Sequence, residues 1–204
     1  MQTRSIRSLV FIALFAALFI VMSSLTIKLG GSFVPITLQT LAVALTGLFL
    51  TPRNAFISIA AVIVLTAFGL PLFSGQGGIA TLTGHTAGYI FAFPFCALFV
   101  SLAVGGFLRP DSGKRNKYAA LIGFFIIFEL FSSLFAYIPG IPWLMHITGF
   151  SLPEALIAGF YPFLIGDALK SFAAAALAIS LTPYIIHIRA SAAQPKTDKA
   201  SYTA

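Results

Sequence analysis

The sequence predicts an all-α integral membrane protein with six transmembrane helices and both termini cytoplasmic. Three observations predict it. Of the 204 residues, 59% are apolar and 8% are charged, against about 45–50% and about 25% in an average soluble domain. One soluble core cannot hide that much apolar surface. The apolar residues fall into six stretches near bilayer length, a spanning helix needing about 20 of them. Lys and Arg concentrate in cytoplasmic loops, and here they sit almost wholly on one side of the alternation that those stretches impose.

Taken in order, the spans are Leu9–Ile27, Pro35–Leu50, Ala55–Phe73, Tyr89–Leu108, Ala119–Ile138 and Pro162–Ile188. Arg4 and Arg7 precede the first span in the manner of a secretory signal. No clean A-x-A cleavage site lies nearby and five more spans follow, so it is read as a retained helix. The second span is short, and irregular backbone around Pro35 can begin it. Charges interrupt the sixth. Six spans take up roughly 120 positions, leaving short loops and no space for a soluble catalytic domain. Residues 1–190 form one membrane domain, and Ser191–Ala204 is expected to be a disordered cytoplasmic tail.

With the N-terminus inside, the inner segments hold Arg4, Arg7, Arg53, Arg109, Lys114, Arg115, Lys117, Arg189, Lys196 and Lys199. The outer segments hold Lys28, and Lys170 lies within a span. The formal net charge of +7 does not mark a nucleic-acid binder, because the basic residues are scattered singly rather than gathered on one face. Cys96 is the one cysteine, so there is no internal disulfide framework.

The outer loops carry the chain's most unusual strings. Ser74 to Tyr89 contains five glycines in sixteen residues, which permits positive φ and close backbone approach. A flexible connector and a binding loop both fit it. ATP binding of the Walker type does not, since no G-x-x-x-x-G-K-[ST] string occurs. The second outer loop holds Ile138-Pro139-Gly140-Ile141-Pro142-Trp143. Ser151-Leu152-Pro153-Glu154 follows as a capping box, predicting a short outer helix from Leu152 to about Phe160. Trp143 fits an interfacial belt or a stacking role in a pocket.

An ionisable side chain within a span is costly and is by default a functional candidate. Asp167 and Lys170 are three apart and share a helical face. They lie roughly 7 and 12 Å below the outer end of the sixth helix, beneath the glycine-rich loop. They can simply neutralise each other, although a buried pair gains little over two apolar residues. Alternatively Asp167 accepts N–H bonds while Lys170 donates to a carbonyl, and a cyclic urea or amide satisfies both at once. Glu129 lies at a similar depth, roughly 13 Å, so pairing with Lys170 and a protonated carboxyl are both open. His85, His146 and His187 have no cysteine or carboxylate at ligand spacing, which argues against a metal site. No G-x-S-x-G or H-E-x-x-H string marks a hydrolase. Ala13 and Ala17, four apart on the first helix, let another helix approach closely in lipid.

Four stretches together resemble a known family: BioY, the biotin-specific substrate-binding (S) component of energy-coupling factor (ECF) transporters. Val34 to Gln39 resembles its V-P-x-T-x-Q string leading into helix two. Gly47 to Arg53 resembles G-x-x-L-G-P-K, and Gly77 to Tyr89 the G-G-x-x-x-L-x-G-P-T-G-G-Y loop. Pro162 to Lys170 resembles the closing P-G-D-x-x-K element. The match covers about residues 9 to 189. The chain departs from the pattern at His85 (usually Pro), Ala87 (Gly), Thr51 (Gly) and Arg53 (Lys), and Glu129 has no family counterpart.

The resemblance implies that Asp167 and Lys170 hold the ureido ring of biotin, with Gln76 and Tyr89 in the same pocket; Trp143, through its stacking role, is the further substrate-binding candidate. It implies that Ala13 and Ala17 dock on a transmembrane coupling subunit, with ATP hydrolysed by two separate cytoplasmic ATPase subunits. Biotin would be transported cargo of a bacterial-type cytoplasmic membrane protein that has no cofactor and catalyses no covalent step. The rival is a proton-coupled secondary transporter in which Glu129 or Asp167 titrates. The inverted repeat such carriers often show has no counterpart of Gly166–Lys170 in the first half. A purely structural membrane subunit would leave the charged pair unexplained.

Overall fold

The structure, a computed structural model, describes residues 2–27, 34, 36–108 and 116–193. Lys28, Pro35, Arg109, Lys114, Arg115, Lys196, Lys199 and the expected tail beyond Ala193 lie outside the described residues.

Helix α1 (Gln2–Ser24) leads into β1 (Thr26–Ile27), which pairs antiparallel with β2 (Ile36–Thr37). Helices α2 (Gln39–Phe49) and α3 (Pro52–Ala67) follow, then the short α4 (Ile79–Thr83) and the long α5 (Ala87–Phe107). Helix α6 (Lys117–Phe128) passes through a π-helical turn (Glu129–Leu134) into α7 (Phe135–Thr148). Helix α8 (Leu152–Gly159) and a 3₁₀ turn (Tyr161–Phe163) precede α9 (Leu164–Ala193).

Among the described residues four helical stretches are long and apolar enough to cross a membrane: Ile6–Ser24, Ala87–Phe107, Lys117–Thr148 and Leu152–Arg189. Helices α2 and α3 are apolar but have 11 and 16 residues. At 1.5 Å per residue they reach about 16 and 24 Å, short of a hydrocarbon core of about 30 Å.

The helix boundaries depart from expectation at three places. The second stretch becomes helical only at Gln39, because Ile36 and Thr37 pair with Ile27 and Thr26 instead. The third stops at Ala67, not Phe73. Gly69 turns the chain with φ +98°, and the Gly69 and Gly78 N–H groups both donate to the Thr66 carbonyl (2.9 and 2.8 Å). That closes the helix end and anchors the glycine-rich loop to it. The fifth does not end at Ile138, and residues 138–143, expected as loop, are helical through Pro139 and Pro142. Proline breaks a helix in water by removing a donor and crowding the preceding turn. In lipid, neighbouring helices and local π adjustments re-satisfy the freed backbone, and a π turn lies immediately upstream here. The helix stops where Gly149 takes φ +74°, a left-handed cap. Helix α8 starts at the expected capping box, with Glu154 Oε2 accepting from Ser151 N (2.8 Å) and Oγ (2.6 Å).

Helix α5 packs against α2, α3 and α7, while α9 packs against α2 and α6. Cys96, Ala97 and Val100 of α5 are fully buried between them. Hydroxyls in this apolar setting bond back to their own helix: Thr46 to Ala42 O (2.7 Å), Thr66 to Val62 O (2.8 Å), Ser132 to Phe128 O (2.7 Å). At the end of the bundle opposite the β pair, Arg189 reaches across from α9. Its Nη1 donates to the Gly47, Leu48 and Leu50 carbonyls (3.0, 3.1 and 3.2 Å) and its Nη2 to Ser101 O (2.6 Å). Carbonyls at a helix C-terminus have no partners within the helix, and one guanidinium supplies them for α2.

Candidate functional site

The site is built around the start of α9. Asp167 falls in its first turn, where the exposed N–H ends of the helix favour a carboxylate. The i,i+3 spacing then brings Lys170 Nζ to 2.7 Å from Asp167 Oδ1. Asp167 is 2% exposed, and a pair this buried must be fully hydrogen-bonded to offset its desolvation. It is served from three other elements. Thr40 Oγ1 of α2 donates to Oδ1 (3.2 Å), Tyr137 Oη of α7 donates to Oδ2 (2.5 Å), and Lys170 Nζ donates to the Thr37 carbonyl of β2 (3.1 Å). An ammonium has three donors and a carboxylate about four acceptor positions. Among the described residues two donors and three acceptor positions are occupied, so one of each stays open.

These groups face a cavity of about 610 Å³, within the roughly 300–1,000 Å³ of small-molecule sites. Asp167, Lys170, Tyr137 and Ser133 line it together with Tyr89, Ile90 and Phe93 of α5. Gln76, Thr81, Gly84 and His85 line it from the glycine-rich loop and α4, and Thr26, Thr37 and Gln39 from the β pair and the start of α2. Arg7, Arg53, Lys117 and Arg189 stand on helix ends away from the cavity, at the starts of α1, α3 and α6 and the far end of α9.

Of the residues expected at the site, Asp167, Lys170, Gln76 and Tyr89 line the cavity. Tyr89 does so as a fixed wall: its hydroxyl donates to the Gly159 carbonyl (3.0 Å) and its ring meets Tyr137 edge-on at 5.8 Å. Glycine is required at two neighbouring positions. A Cβ on Gly140 would run into the Tyr89 ring, and one on Gly159 would lie 2.7 Å from its hydroxyl. Trp143 is outside the cavity lining. Its indole Nε1 donates to Gly84 O (2.9 Å) and ties α7 to the loop residue beside His85. Ala13 and Ala17 are exposed on α1 beside Leu14 and Val21, far from the cavity.

Glu129 does not pair with Lys170, whose ion-pair partner is Asp167. Its carboxyl lies beside the Ser171 hydroxyl, whereas the buried Ser133 hydroxyl has no hydrogen-bond partner among the described residues. Sequence reasoning missed Thr40, Tyr137 and Ser133. Thr40 is 127 residues from Asp167 and Tyr137 is 30, beyond any local spacing rule. The one available signal for Tyr137 was a phenol near the end of an expected span, which must find a partner when buried.

The BioY family matches residues 1–186 of this chain. The probable biotin transporter BioY of Pyrococcus horikoshii is 36% identical over 168 residues, covering 82% of this chain and 91% of that protein. The probable biotin transporter BioY of Bacillus subtilis is 34% identical over 173 residues, covering 84% and 88%. Among solved structures, a crystal structure of the S-component for biotin from an ECF-type ABC transporter superposes with TM-score 0.76 at 26% identity. The match covers 90% of this chain and 94% of that one.

Proposed function

The chain belongs to the BioY family, and from that premise we propose that it takes up biotin as the S component of an ECF-type transporter. It binds the vitamin at the Asp167–Lys170 end of the cavity and delivers it by moving within a larger complex. The observation that carries this reading is the free bonding capacity of the buried pair. One acceptor position on Asp167 and one donor on Lys170 match an N–H and the adjacent carbonyl of a cyclic urea, side by side. Gln76 and Tyr89 complete the walls around the ring. Trp143 acts on the pocket through Gly84.

Six membrane segments are the finer reading, with α2 and α3 crossing alongside the four long stretches and extended residues completing the α2 crossing. Both termini are cytoplasmic. In support, Arg7, Arg53, Lys117 and Arg189 all stand at the end away from the cavity, as the positive-inside rule requires of a cavity that opens outward. The membrane is the cytoplasmic membrane. The partners are a transmembrane coupling subunit, met through the exposed Ala13 and Ala17, and two ATPase subunits. Small residues four apart on a lipid-facing helix suit close helix–helix contact. The chain catalyses no covalent step.

Calorimetry on the detergent-purified chain tests the assignment. The expected result is saturable binding of one biotin per chain, independent of a proton gradient. A folded chain that binds no biotin contradicts it, and uptake in proteoliposomes under a pH gradient then tests the proton-coupled carrier.

A further inference from the structure

A cyclic urea offers three polar groups, one carbonyl and two N–H. The Asp167–Lys170 pair has one donor and one acceptor position open, so one N–H is left without a partner. Ser133 can supply the missing acceptor. It lines the same cavity, it is 1% exposed, and its hydroxyl has no hydrogen-bond partner among the described residues. It stands four residues before Tyr137, on the same helical face, and Tyr137 itself donates to Asp167. The neighbouring hydroxyl shows what sequence context alone would do: Ser132 bonds back to the Phe128 carbonyl (2.7 Å). Ser133 makes no such bond, although a buried polar group without a partner is costly and rare.

We infer that Ser133 is a ligand contact, its Oγ accepting the urea N–H that the Asp167–Lys170 pair leaves over. This rests on biotin being the ligand. A turn about χ1, between staggered positions that a serine readily exchanges, presents the hydroxyl to the ligand.

Two measurements on Ser133→Ala test the inference: affinity for biotin and for desthiobiotin, which keeps the urea and lacks the sulfur, and the melting temperature of the ligand-free chain. Ser171→Ala serves as control, since Ser171 is equally buried but is not part of the cavity lining. The expected result is an affinity loss of about fivefold to tenfold for Ser133→Ala, the effect of one neutral hydrogen bond, and equal for both ligands. The ligand-free melting temperature should be unchanged or higher, because deleting an unpartnered buried hydroxyl removes a cost. Ser171→Ala should bind as wild type does. Unchanged affinity in Ser133→Ala overturns the inference, as does a loss confined to biotin, which would put Ser133 on the sulfur. A fall in the ligand-free melting temperature also overturns it, by making the hydroxyl structural. A wild-type chain that binds no biotin removes the premise instead, and the inference with it.

Discussion

Tyr137 of α7 holds Asp167 of α9, and its hydroxyl is the donor to Oδ2. Tyr137→Phe keeps the ring against Phe160 (4.8 Å, edge-on) and deletes only that bond. A hydrogen bond to a charged group contributes about 1.5–3 kcal/mol, so biotin affinity should fall at least tenfold in calorimetry with the fold intact. Glu129 behaves differently. It is neither paired with Lys170 nor part of the cavity lining, so Glu129→Gln should leave biotin affinity within about twofold in calorimetry. A large affinity loss in Glu129→Gln would restore the pairing with Lys170. At this scale the sequence was legible where chemistry is local. Asp167 and Lys170 are three apart, and helix geometry alone brings them together. Thr40 and the Thr37 carbonyl come from 127 and 133 residues away, and only tertiary packing decides which hydroxyl a carboxylate meets.

The elements carry the second lesson, through glycine, proline and arginine. Helices α5 and α7 approach closely because Gly140 leaves space for the Tyr89 ring. Gly140→Ala should overpack that contact, cost about 1–3 kcal/mol and lower the melting temperature and biotin affinity together, since Tyr89 is a cavity wall. Arg189 serves the last carbonyls of α2 with one nitrogen and Ser101 O with the other. Arg189→Lys keeps the charge but not the planar fork, so thermal denaturation should show a destabilisation that lysine does not rescue. The apolar stretches that became helices were readable from length and composition. The run through Pro139 and Pro142 was not, because proline is a helix breaker in water and is tolerated in lipid among neighbouring helices. The glycine-rich loop was readable as a loop. Its attachment to Thr66 O and to Trp143 was not, since both bonds depend on elements meeting in space.

The whole molecule is polarised along its axis, with the cavity at one end and Arg7, Arg53, Lys117 and Arg189 at the other. Orientation is directly measurable, because Cys96 is fully buried and gives little background to a membrane-impermeant maleimide. Thr83→Cys, exposed beside the glycine-rich loop, should label in intact cells, and Arg53→Cys only after permeabilisation. The reverse pattern would invert the topology. On the flank, Ala13→Leu with Ala17→Leu should abolish co-purification with the coupling subunit while biotin binding by the isolated chain persists, because α1's outward face and the cavity are separate. The central claim is that the buried Asp167–Lys170 pair holds biotin. Calorimetric titration of wild type, Asp167→Asn and Lys170→Ala with biotin measures it most directly. Each substitution is predicted to weaken binding by about 2–5 kcal/mol, the cost of truncating one partner of a buried charged contact. Wild-type affinity retained in either variant would contradict the account.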